Sequence, residues 1–105
     1  MLIGCFTDRV YEPVELLQRA YELRTGNLFY NAIIKDGRHG YTTHRGMLLH
    51  ILRYDYGYPY QALRAITGYR CNQPVIRTMD IFLTQLTINY TLRRDYESIR
   101  AMLSI

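Results

Sequence analysis

The sequence predicts an all-α, single-domain bundle of about five helices that contains a helix-turn-helix. Three observations lead to this fold class. Apolar residues recur at spacings of three and four along much of the chain. Glycine and proline fall where helices would end or begin. The 105 residues can bury one modest core but not two, and no repeat or linker divides residues 1–105.

The first predicted helix is about Pro13–Thr25. Proline is tolerated in a first helical turn, and Gly26 offers a left-handed stop. The residues expected at helical spacing between them are Leu16, Leu17, Ala20, Leu23 and Arg24. From Asn27 to Tyr41 the pattern is poor, because LFYNAII could form a short helix or an extended piece and KDGRHG reads as a basic loop.

The second helix is expected to start near Thr42 or Thr43, either of which could be its N-cap, and to end before Gly57. Its apolar stripe is Met47, Leu48, Ile51 and Leu52. A third, short helix opens at Pro59 and closes at Gly68. Its inward residues are Ala62, Leu63 and Ile66.

The fourth helix has the clearest periodicity, with Asn72 as its natural N-cap and Pro74 in its first turn, where a missing N–H does no harm. Its predicted apolar stripe is Val75, Met79, Phe82, Leu83, Leu86 and Tyr90. A last helix runs from about Leu92, with Tyr96, Ile99 and Leu103 on its buried face.

Positive charge is concentrated in the middle of the chain. Residues 35–77 contain seven cations and two acids, a local net charge of +5, whereas the remaining residues contain six cations and seven acids. Most of the cations are arginines, whose planar guanidinium suits phosphate and guanine edges. The pattern favours a nucleic-acid partner, and a solvated basic face is the open alternative.

Composition excludes several other classes. No run approaches the roughly 20 apolar residues of a membrane span, so we expect a cytoplasmic protein with no membrane partner and no export signal. Cys5 and Cys71 are too few for a disulfide framework or a zinc site. We expect no metal and no cofactor. The sequence leaves the oligomeric state open.

The third and fourth predicted helices are separated by a short turn with a glycine, as in a helix-turn-helix. The second helix of that motif reads the DNA major groove with its N-terminal residues. Here those residues are Asn72, Gln73, Ile76 and Arg77, with Arg70 in the turn. Asparagine and glutamine match adenine, and arginine matches guanine O6 and N7. An ordinary helical hairpin is the alternative at this point.

Residues 44–77 and the closing stretch resemble the C-terminal DNA-binding domain of the bacterial replication initiator DnaA, which belongs to the TrpR-like helix-turn-helix class. The matching segments are HRGMLLHILR, PYQALRAITG, GYRCNQPVIR and LRRDYESIRAML. GYRCNQPVIR stands where that domain has its Gly-Gly-Arg-Asp-His-Thr-Thr-Val-Leu-His signature. The match consists chiefly of the apolar pattern with Gly68, Arg70 and Val75.

The resemblance implies a set of DNA-binding residues. Arg70 would be the signature arginine. Base readers would occupy the positions of the family's Asp-His-Thr-Thr, which are Cys71, Asn72, Gln73 and Pro74. The short third helix would touch DNA through Tyr60 and Gln61, phosphates would meet Arg53 and Arg77, and a basic loop with Lys35 and Arg38 would reach the minor groove.

The departures from the family signature put recognition of the family's usual DNA box in question. The chain also has no GxxxxGK[ST] phosphate loop, so a complete replication initiator is not expected. We expect binding of double-stranded DNA in replication or transcription regulation. The alternative is a protein-interaction module that kept the fold and lost DNA reading.

We expect no enzyme activity. Tyr41, His44 and Arg45 could be imagined as a nucleophile, a base and a phosphate clamp, but no acidic partner or metal-ligand spacing accompanies them. The stretch YDYGYPY could stack on single strands, although half-buried tyrosines that pack a small core are favoured.

Overall fold

The chain is a bundle of α-helices, seen here in a computed structural model. The structure describes residues 2–35 and 41–105, and of residues 2–12 it describes the backbone alone. Within these ranges there is no strand. The helices are α1 (Leu2–Thr25), α2 (Phe29–Ile33), α3 (Thr42–His50), α4 (Tyr60–Thr67), α5 (Asn72–Ile88) and α6 (Tyr90–Met102), and a π-helical turn (Ile51–Asp55) continues α3.

The predicted helix ends at glycine are confirmed. Gly26 and Gly68 follow α1 and α4 with φ of +76° and +91°, the left-handed conformation that glycine adopts at little cost. The predicted start of α1 is wrong, because the helix begins at Leu2 and Pro13 lies inside it. A proline has no N–H to donate to the preceding turn, so α1 lacks one intrahelical hydrogen bond at Pro13 but does not begin there.

The second predicted helix exists, but neither threonine caps it. Its N-cap is Tyr41, which makes no side-chain capping bond, and Thr42 is already helical. After His50 the backbone widens into the π-helical turn, where the Tyr56 N–H donates to the Ile51 carbonyl over 3.2 Å. This turn ends at Asp55, before Gly57 as predicted.

The stripe predicted for α5 is partly wrong. Phe82 is fully buried, but Leu83 is 42% exposed and Tyr90 is 71% exposed. The helix ends at Ile88, so Tyr90 belongs to the first turn of α6. The buried face of α5 instead includes Thr78, which a purely apolar pattern could not identify.

The core lies where α3 crosses α5. Gly46 of α3 is the point of closest approach, since a Cβ there would lie 2.7 Å from Cβ of Phe82 and would also meet the Thr78 carbonyl oxygen. Leu17 and Tyr21 of α1 are completely buried and join the same core. Helix α4 packs on α5, and the turn between them exposes Gly68, Arg70 and Cys71 to solvent.

Candidate nucleic-acid interface

The α4–α5 turn (residues 68–71) is fixed at its start by Thr67. Its side chain is buried, and Oγ1 donates to the Leu63 carbonyl over 2.8 Å. Gly68 then reverses the chain, with its N–H bonded to the Arg64 carbonyl over 2.8 Å. The turn ends at Cys71, an extended N-cap residue with φ of −141°. Because Gly68 has a positive φ of 91°, the reversal of the chain at this residue is determined locally.

The opening of α5 presents the predicted base readers to solvent. Arg70, Cys71, Asn72 and Gln73 are all exposed, whereas Pro74 is half-buried. Asn72 is the first residue of α5 rather than its N-cap, and the N-cap residue Cys71 makes no side-chain capping bond. The predicted capping role of Asn72 is therefore wrong. A helix opening without a side-chain cap has backbone N–H groups directed outward, where they can bind an anion.

Lys35, predicted to belong to a DNA-binding basic loop, lies beside the α4–α5 turn. The backbone N–H of Lys35 donates to the Thr67 carbonyl over 2.9 Å. The methylene carbons of Lys35 lie 3.7 to 3.9 Å from the position of a Cβ at Gly68. Lys35 is exposed, so its ammonium group adds to the charge around the turn. Arg38, predicted in the same basic loop, lies outside the described residues.

Arg53 and Tyr60, both predicted DNA contacts, are joined to each other. The Arg53 guanidinium lies 4.3 Å from the centre of the Tyr60 ring, and its Nη1 donates to the Tyr58 carbonyl over 3.0 Å. Tyr60 packs half-buried on the core, while Gln61 beside it is exposed. The guanidinium of Arg53 therefore stabilises the segment between the π-helical turn and α4, and part of its hydrogen-bonding capacity is used there.

Arg77 lies one turn further along α5 and is exposed. It borders a shallow groove of about 290 Å³ on the outer face of the helix. The other residues that line this groove are Asp80, Ile81, Thr84 and Gln85. Arg77 therefore shares its surface with an acid and an isoleucine as well as with the positive opening of α5.

Sequence reasoning missed the structural role of two arginines that support the turn. Arg64 donates from Nη1 to the Arg70 carbonyl over 3.2 Å. Arg45 is only 4% exposed, and Nη1 donates to the Tyr69 hydroxyl over 3.2 Å. A signal for Arg45 was present, because Leu48, Leu49 and Leu52 follow it at helical spacings of three, four and seven.

The side chains considered for catalysis take part in packing. His44 Nδ1 and the hydroxyl of Tyr21 share a hydrogen bond of 2.8 Å. Burial lowers the pKa of His44 and raises the pKa of Tyr21 to about 12, so both groups are neutral near pH 7. Tyr41 donates to Asn27 over 3.4 Å. Among the residues described, no cluster of three His, Cys, Asp or Glu side chains could hold a metal ion.

Comparison with protein-family models, with curated proteins and with solved structures finds no match to this chain. The resemblance to the DnaA C-terminal domain therefore stays a prediction that depends on the residues quoted for it. None of the helices described has the length and apolar character needed to cross a membrane.

Proposed function

We propose that this chain binds double-stranded DNA through a helix-turn-helix formed by α4, the α4–α5 turn and α5. The observation that carries the proposal is the exposed run from Arg70 to Gln73 at the opening of α5. These side chains offer the hydrogen-bonding groups that match base edges. Lys35 beside the turn supports the proposal, since its charge would favour the phosphate backbone there.

The proposed action is binding without catalysis, in DNA replication or in the regulation of transcription. A first experiment measures fluorescence anisotropy of a labelled random duplex with the protein at two salt concentrations. We expect binding that weakens as salt rises, because cations that meet phosphates release counterions. Absence of binding even at low salt would remove the proposal.

Base reading is tested by variants at Arg70 and Gln73. A preferred duplex is first enriched from a random pool with the wild-type protein. Replacing either residue by Ala should weaken binding to that duplex by about 1 to 3 kcal/mol and leave random duplex little affected. Gln61, exposed on α4, is expected to contribute less, because recognition helices read bases mainly from their N-terminal residues.

A protein-interaction module is the second candidate function. It is favoured by apolar residues exposed on one face of α5, where Ile81 and Ile88 are 39% and 73% exposed and lie seven residues, about two helical turns, apart. An exposed apolar patch on a helix is typical of a docking surface. If selection returns no enriched sequence and Arg70→Ala weakens every duplex equally, base reading is lost and this candidate is favoured.

A further inference from the structure

Tyr69 is the one residue of the α4–α5 turn whose side chain packs inward. Gly68, Arg70 and Cys71 are exposed, whereas the Tyr69 ring is half-buried against the core. Its hydroxyl lies between a residue of α3 and a residue of α5. The residues on which the proposed base reading depends follow Tyr69 directly in the chain.

The Tyr69 hydroxyl accepts one hydrogen bond and donates another. A guanidinium can only donate, so Arg45 Nη1 donates to the Tyr69 oxygen over 3.2 Å. Thr78 Oγ1 donates to the Pro74 carbonyl over 2.7 Å, which leaves its oxygen free to accept. The Tyr69 O–H therefore donates to Thr78 Oγ1, at a longer distance of 3.4 Å. The chain of bonds starts in α3 and ends in the first turn of α5.

Arg45, the first donor in this series of hydrogen bonds, is held rigidly. Arg45 is buried in α3, and its Nε donates to the Ala32 carbonyl of α2 over 2.9 Å. The backbone of the turn is held as well, because the Tyr69 N–H donates to Thr67 Oγ1 over 3.4 Å. Two helices and the residue before the turn thus constrain Tyr69 from different sides.

We propose that the Tyr69 hydroxyl is a positioning group that fixes the direction in which residues 70–73 face DNA. The inference rests on the proposed function, because it names the residue that holds the reading side chains in one arrangement. Discrimination between sequences depends on such arrangement more than general attraction to phosphate does. Loss of the hydroxyl should therefore reduce sequence discrimination without removing DNA binding.

The test uses Tyr69→Phe, which keeps the ring and removes only the hydroxyl. Tyr90→Phe is the matched control, because Tyr90 is 71% exposed in α6 and its hydroxyl has no hydrogen-bond partner among the described residues. Thr78→Val removes the oxygen that accepts the hydrogen bond from the Tyr69 hydroxyl, and it serves as a second variant if Tyr69→Phe fails to fold. For each protein the affinity is measured on the duplex enriched by wild type and on a random duplex, beside a thermal melt.

A second readout needs no DNA. Backbone ¹⁵N relaxation gives order parameters for residues 70–73, which should be about 0.85 in wild type and fall toward about 0.6 in Tyr69→Phe. Discrimination between the two duplexes should fall by roughly threefold to tenfold, the ratio expected from one lost hydrogen bond. Thr78→Val should shift both quantities in the same direction, and Tyr90→Phe neither.

The outcomes separate the inference from the proposed function. Unchanged discrimination in a folded Tyr69→Phe protein overturns the positioning role, and so does an equal loss of affinity on both duplexes. If wild type enriches no sequence, the proposed function fails. The order parameters then decide alone whether the hydroxyl fixes residues 70–73, and unchanged values overturn that too.

Discussion

Gly46 lies in the middle of α3, where a glycine usually weakens a helix by about 1 kcal/mol relative to alanine. Its use here follows from the close crossing of α3 and α5, because a Cβ would meet the Thr78 carbonyl oxygen and Cβ of Phe82. Backbone atoms cannot rotate away as a flexible side chain can. The residue is thus explained by a neighbour 32 or 36 positions away, which the local sequence does not reveal.

We expect Gly46→Ala to destabilise the protein, by about 1 to 3 kcal/mol in urea unfolding, as overpacking of a core does. Gly57→Ala is the comparison, since its φ is +74° and no atom lies within 4 Å of its added Cβ. That variant should cost only the backbone strain of about 1 to 2 kcal/mol. A neutral or stabilising Gly46→Ala, as helix propensity alone would give, would contradict the close crossing.

Two asparagines at helix openings test the capping assignments. Asn89, the N-cap of α6, accepts a bond from the Leu92 N–H over 3.0 Å, whereas Asn72 is an exposed first residue of α5. Asn89→Ala should therefore lower the unfolding free energy by about 1 kcal/mol. Asn72→Ala should change it by less than about 0.5 kcal/mol. Equal losses would restore a capping role to Asn72, and a loss of DNA affinity in Asn72→Ala could then reflect stability.

At the scale of elements, helix ends were more predictable than helix faces. Gly26 and Gly68 stop helices by their own backbone conformation, so the sequence contains the cause. The buried face of α5 depends on α3, α4 and α6, which cover only part of the helix and leave Leu83 exposed. The π-helical turn after His50 likewise has no local signal in the residues that form it.

The face of α5 that is buried determines which of its residues should be costly to replace by alanine. Phe82 is fully buried, so Phe82→Ala should destabilise by about 3 to 5 kcal/mol in chemical denaturation. Leu86 is partly buried against the core and should cost less on the same change. Leu83 is an equally apolar neighbour but 42% exposed, so Leu83→Ala should cost less than about 1 kcal/mol.

Gln85, off the predicted stripe, should also tolerate alanine, because its half-buried side chain borders the outer groove. The two controls answer different questions. Gln85 tests whether α5 is a helix with one buried face, and Leu83 tests which face that is. A loss at Leu83 as large as that at Phe82 would support the phase expected from apolar spacing over the one observed.

The candidate site was predictable only in part. The run Arg70 to Gln73 is exposed at a helix opening, as the turn signals indicated. Lys35 came from a region with no clear pattern, and its position beside Gly68 depends on a bond between distant backbone segments. A count of charged residues includes Arg53 and Arg45 among the cations that could meet DNA. In the structure, however, Arg53 is stacked on Tyr60 and Arg45 is buried.

Across the whole molecule, two histidines couple stability to pH. Burial lowers the pKa of both His44 and His50, and His50 packs its ring against Tyr54, Phe82 and Tyr96. The folded state favours the neutral rings, so their contribution to stability is fully present above the pKa of about 6.5 that histidine has in the unfolded chain. As pH falls below that value the unfolded chain takes up protons first, and stability declines.

We therefore expect the urea midpoint to fall between pH 7 and pH 5.5. His50→Phe keeps an aromatic ring in place and removes one titrating group, so it should reduce that fall. The same variant at pH 8 is the control, since only its altered packing differs from wild type there. A wild-type midpoint that stays constant or rises on acidification would show that the histidine pKa values are not lowered.

The distribution of exposed arginines over the surface predicts where DNA meets the protein. Arg77 on α5 and Arg19 on α1 are both exposed arginines, but only Arg77 lies on the proposed interface. Arg77→Ala should weaken binding to all duplexes alike and make the slope of log affinity against log salt shallower by about 0.9, the value for one phosphate contact. Arg53→Ala should also weaken binding, partly by releasing Tyr60. Arg19→Ala removes the same charge from the chain and should leave the slope unchanged. If both exposed arginines change the slope equally, DNA responds to net charge alone, and binding through the opening of α5 is wrong.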